Sequence, residues 1–149
     1  MSRATPPMRH FAKRLIVFEA KQNPSFPTYP RPAFPIPEKL RPHLVALMGN
    51  GGFEALLARA LALAKTEVPW LRPVHVNADG ALEGLEKIPA EVGADEFLEG
   101  TIVLLAQLLG LLVAFIGENL TLRLVQEVWP KVPLDDLDLE NRGKNEKTK

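Results

Sequence analysis

Glu99, Gln107 and Glu118 carry the polar atoms that a reaction would need: in a helix read over residues 94–128 at 100° per residue, Gln107 and Glu118 fall near one line and Glu99 lies at the edge of the same stripe. Two carboxylates and an amide on one stripe are the raw material of an acid–base cleft, in which one carboxyl gives a proton and the other takes one. Glu118 is the most interesting of the three. It stands between Gly117 and Asn119 directly after a long apolar run, and if buried it needs a partner such as Arg59 or Arg123, or it takes up a proton. The plainer reading is a structural polar pair or a solvated helix edge, and that reading is preferred.

Other chemistries find less material. There is no cysteine, which removes thiol catalysis, disulfides and the usual zinc clusters and suits a reducing cytoplasm. The serines are Ser2 and Ser25, both in segments expected to be irregular, so a serine nucleophile held beside a base is not expected. His10, His43 and His75 fall in three separate elements without the spacing of a metal site. Gly49-Asn-Gly-Gly52 precedes a helix, yet no Lys-Ser/Thr follows it, no strand leads into it, and Glu54 places negative charge where a phosphate would sit. Lys21 to Pro27 matches the basic-x-x-Pro-x-x-Pro pattern of SH3 ligands, a short pattern that arises often by chance. Asn119-Leu-Thr121 fits a glycosylation acceptor but lies inside a predicted helix, and the apolar stretch Leu15 to Phe18 is too short for a secretion signal and is closed by Glu19. No catalytic, cofactor-binding or metal-ligating residue is assigned, and no cofactor is expected.

The 149 residues suit a single domain able to bury a core without staples. Net charge is zero but unevenly spread: residues 1–50 hold eight Lys/Arg against two acids, and residues 51–100 hold four against nine. No long basic tract accompanies this polarity, so a nucleic-acid partner is not expected.

The elements that must position these side chains are mostly helical. Met8, Phe11, Ala12, Leu15 and Ile16 recur at helical spacing in a first helix over 8–21, with a strand over Leu15–Phe18 as the shorter alternative. Residues 24–42 contain seven prolines and read as an extended arm strapped along the surface. A helix follows from Arg41 to Gly49, a glycine turn, and a second helix from Phe53 to Thr66. Val74–Val76 and Ala81–Glu83 flank Asn77-Ala-Asp-Gly80 as a small β-hairpin, and an acidic loop leads to the last large element. Asp95, Glu96 and Glu99 open that helix at its positive dipole end, Arg123 lies near its far end, and Pro130 stops it.

Ile102–Ile116 is the dominant feature. Its eleven Leu, Ile, Val and Phe residues represent on the order of 15 to 30 kcal/mol of transfer free energy when buried. As a membrane span it is short, since fifteen residues rise about 22 Å against about 30 Å of hydrocarbon. Basic flanks are missing between Lys87 and Arg123. Integral insertion is therefore not the preferred reading, and the run is expected to be a core helix.

The sequence thus predicts a mainly α fold, a compact helical bundle around one long C-terminal helix, with a small β-hairpin and a proline-rich extended arm. Residues 1–7 are expected to be a flexible N-terminus, 8–139 a single helical domain and 140–149 a disordered tail. Leu134, Leu137 and Leu139 lie among acids and read either as a fraying turn or as a docking peptide. The functional expectation is a non-catalytic, cytoplasmic interaction or accessory protein whose partner is another protein or itself. Its contact surface is taken as the small-residue stripe Gly110, Ala114, Gly117, Glu118 and Thr121, where close backbone approach is sterically open. The alternatives are a membrane-associated helical protein and an enzyme with an acid–base cleft around Glu118.

Overall fold

A computed structural model of the chain describes residues 5–22, 35–78, 82–84, 87 and 91–131, with residues 19–22, 35–38 and 94 described by their backbone alone. The elements in order are α1 (Pro6–Gln22), α2 (Pro35–Glu67), a 3-10 turn (Pro69–Leu71), β1 (His75–Val76), β2 (Leu82–Glu83), α3 (Ala94–Ile116) and α4 (Glu118–Val128). The mainly helical reading and the hairpin hold.

α1 starts earlier than its periodicity suggests. Pro6 and Pro7 occupy its first turn, where a missing N–H costs nothing, and Thr5 caps it: its carbonyl accepts from Arg9 N at 2.8 Å and its Oγ1 from Met8 N at 3.4 Å. Residues 6 and 7 thus leave the expected flexible N-terminus and join the helix. The expected apolar stripe, Met8, Phe11, Ala12, Leu15 and Ile16, is buried.

The expected extended arm over 24–42 is corrected in its second part. Residues 35–42 belong to α2, because Pro35 and Pro37 stand in the first turn and Pro42 removes only one ladder bond, the one its nitrogen would give to the carbonyl of residue 38. Residues 24–34 lie outside the described residues. The glycine turn is also tighter than expected. Gly49 alone leaves the helical region, at φ 82° and ψ 168°, so α2 consists of two helices, 35–48 and 50–67, meeting at one residue. That backbone setting is open to glycine and strained for any L side chain.

The single helix over 94–128 is corrected in the same way. Gly117 sits at φ 90° and ψ 160° and divides it into α3 and α4. α3 begins where expected: Asp95 and Glu96 lie in its first turn, and the Glu96 carboxylate accepts from Gly93 N at 3.2 Å. The core is built around α3, which packs against α2, α1 and α4. Every residue from Ile102 to Leu112 is buried, so this stretch has no solvent face.

The hairpin closes one side of the fold. His75 pairs with Glu83 and Val76 with Leu82 in antiparallel register. Trp70, from the 3-10 turn, stacks on Phe97 of α3 with centroids 5.8 Å apart and planes 22° apart. Gly100 makes this approach possible, since a Cβ there would collide with the Trp70 ring. α4 is held by Leu124, Val125 and the buried Trp129 that follows it, and His43 of α2 reaches Glu127 at 3.5 Å.

Candidate docking site

The polar residues singled out from the sequence do not converge. Glu99 is exposed and Gln107 is fully enclosed; eight residues of helix separate them by about 12 Å, too far for concerted proton transfer. Glu118 belongs to a different helix, half-buried in the first turn of α4, where the dipole favours its charge. The cleft depended on an unbroken helix, and Gly117 breaks it. The stripe proposed for self-association is divided for the same reason. Gly110 and Thr121 are enclosed, Thr121 Oγ1 donating back to the Gly117 carbonyl at 2.8 Å. Ala114 and Gly117 are exposed.

Gln107 has a different part. It is the polar side chain at the centre of α3, and its Nε2 donates to Glu67 Oε2 at 3.5 Å, while the other oxygen of Glu67 pairs with Arg9. One residue from each of α1, α2 and α3 thus meets in a single link. A buried amide in an apolar run demands such a partner, so the sequence announces the need; Glu67, forty residues away, is identified by the fold alone.

His75 serves a local contact within the hairpin. His75 Nε2 lies 3.1 Å from Glu83 Oε1, and Asn77 Nδ2 donates to Glu83 Oε2 at 2.8 Å. The Asn77 amide first, and then His75, hold the Glu83 carboxyl below the ordinary glutamate range. Among the described residues no three His, Asp or Glu side chains converge as metal ligands.

The concave feature of interest lies between α2 and the last turns of α3. Met48, Gly52, Ala55, Leu56 and Arg59 of α2 face Leu111, Ala114, Phe115 and Ile116 of α3 across a groove of about 580 Å3. Its wall is apolar and Arg59 is the one charged side chain among these nine. The groove is open because small residues, Gly52, Ala55 and Ala114, stand where the core elsewhere has leucines. Phe115 is 67% exposed on its rim, a large apolar ring left in water, which is the kind of feature that marks a contact surface.

No protein-family model, curated protein or solved structure matches the chain. Function must come from the geometry. Among the described residues, the stretch Lys39–Glu67, which Gly49 divides, and the helix Asp95–Ile116 are long and apolar enough to cross a membrane by length and composition. The fold covers 72% of the apolar window of the second with other parts of the chain, as a bundle does with its central helix.

Proposed function

We propose that the protein is a small cytoplasmic interaction protein that acts by binding, and that it self-associates through the groove between α2 and α3. The observation that carries this reading is Phe115, 67% exposed beside an apolar groove lined by glycine and alanine. A knob next to a hole on one surface is what a two-fold contact uses, each copy inserting its ring into the other's groove. Ala114, one of the stripe residues, stays in the reading as groove floor; Gly110 and Thr121 do not. A buried aromatic brings 150–250 Å2 per ring, and a stable dimer needs upwards of about 1,000 Å2 in total, so the association is expected to be weak and concentration-dependent.

Sedimentation equilibrium in detergent-free buffer tests the reading. Wild-type protein should move from monomer to dimer as concentration rises, and Phe115→Glu should weaken that association about tenfold or more without shifting the thermal midpoint. A strict monomer at every concentration, or a dimer indifferent to Phe115→Glu, would overturn it. Protein that aggregates unless micelles are supplied would instead favour the membrane-associated alternative.

A further inference from the structure

We infer that the groove between α2 and α3 binds a single-chain amphiphile with one anionic head group, and that this ligand competes with a second copy of the chain for the site. The inference rests on the groove being a contact surface, as proposed above, and adds what else the groove accepts and how self-association is regulated. Gly52, Ala55, Leu56 and Arg59 stand at i, i+3, i+4 and i+7 on one face of the second half of α2, so this wall is apolar from Gly52 to Leu56 and carries its charge at one end. Met48 extends the apolar end, and Leu111, Ala114, Phe115 and Ile116 form the opposite wall. Arg59 is exposed and makes no hydrogen bond, ion pair or ring contact among the described residues, and no acid stands among the nine lining residues. An apolar groove that ends on an unopposed guanidinium is complementary to a run of methylenes that ends on a carboxylate or a phosphate. Its volume of about 580 Å3 falls within the roughly 300–1,000 Å3 of small-molecule sites. An extended peptide suits the same walls poorly. Each of its residues brings an N–H and a C=O, the backbone groups of both helical walls point along the helix axes and not across the groove, and a single polar side chain cannot satisfy the newcomers. An alkyl chain brings no such groups.

Calorimetric titration of the full-length protein with octanoate, decanoate and dodecanoate, each below its micelle-forming concentration, tests this. One ligand per chain is expected, with affinity rising about fourfold for each added methylene. Arg59→Gln should weaken decanoate about three- to tenfold and leave decan-1-ol unchanged. Ala114→Phe, which fills the groove from an exposed position, should abolish binding of both while keeping the wild-type thermal midpoint, and methyl NMR of the wild type should show Ala55, Leu111 and Ala114 shifting first as decanoate is added. Dodecyl phosphate set against dodecanoate distinguishes the head groups: the tighter of the two names the source, a phosphate monoester or a free fatty acid. In sedimentation equilibrium, saturating dodecanoate should convert dimer to monomer. Affinity independent of chain length, dodecyltrimethylammonium binding as tightly as dodecanoate, indifference to Arg59→Gln, or adsorption to phosphatidylglycerol vesicles without binding of any monomeric amphiphile would overturn the inference. If binding fails while Phe115→Glu still dissociates the dimer, the ligand is wrong and the contact surface stands; if decanoate binds a protein that is monomeric at every concentration, the ligand stands and self-association falls.

Discussion

Residues 102–112 and residues 113–116 belong to one helix and one apolar run, yet the first stretch is enclosed on every side and the second carries Phe115 into water. The side chains do not account for the difference, since the first stretch is apolar apart from Gln107 and Gly110 and the second, Val-Ala-Phe-Ile, is wholly apolar. The neighbours do. α1, α2 and α4 pack against α3, and the cover thins over its last turn, before Gly117 ends it. An apolar sequence thus becomes core or contact surface according to where the surrounding helices stop.

Substitutions at matched positions break or sharpen that contrast. The largest effect should come from Leu108→Ala, which opens a cavity at a fully buried site and should cost about 2–5 kcal/mol in urea unfolding, whereas Phe115→Ala should lie within about 0.5 kcal/mol of wild type. Equal losses at the two positions would erase the distinction. Gly100→Ala should cost about 1–3 kcal/mol through overpacking against Trp70, with the Trp70–Phe97 stack disturbed in the near-ultraviolet circular dichroism.

Next in size, Glu67→Ala should cost about 1–3 kcal/mol by taking one acceptor away from the enclosed Gln107 amide. The double variant Glu67→Ala/Gln107→Leu should recover part of that loss, because no buried amide then remains unsatisfied. A double variant as unstable as the sum of the singles would show that the link has no such coupling.

The smallest effect concerns the hairpin. The Glu83 carboxyl is held low by Asn77 and His75, so its contribution to stability is present above the ordinary glutamate pKa of about 4.3 and is lost as pH falls through the lower folded value. NMR titration should place the Glu83 midpoint below the ordinary glutamate pKa, and Asn77→Ala should raise it. An unchanged midpoint would remove the amide from the account.

Much of the architecture was legible in the sequence, because it follows from local rules. The stripe Met8, Phe11, Ala12, Leu15 and Ile16 specified the buried face of α1, and Asn77-Ala-Asp-Gly80 between short alternating runs specified the hairpin. The helix boundaries at proline and glycine were harder to read. Seven prolines over 24–42 suggest an extended arm, but Pro35 and Pro37 are compatible with a first helical turn, and only the packing of Leu40 and Leu44 in the core selects the helix. Gly117 is compatible with a bend or a full break, and the buried anchors of α4, Leu124, Val125 and Trp129, select the break. The candidate site was the least legible part. Ala114 was singled out, but the groove pairs it with Gly52 and Ala55, roughly sixty residues earlier in the chain, a juxtaposition that no periodicity within one helix encodes.

Hydrogen exchange along α3 in detergent-free buffer tests the central claim most directly, that one apolar helix is shielded by the protein's own fold over most of its length and offers its last turn to a partner. Amides of residues 102–112 should exchange only through global unfolding, with protection equal to the full unfolding free energy. Those of residues 113–116 should exchange faster in dilute solution and become protected as concentration rises. Uniform fast exchange over 102–116, or protection of 113–116 that ignores concentration, would contradict it.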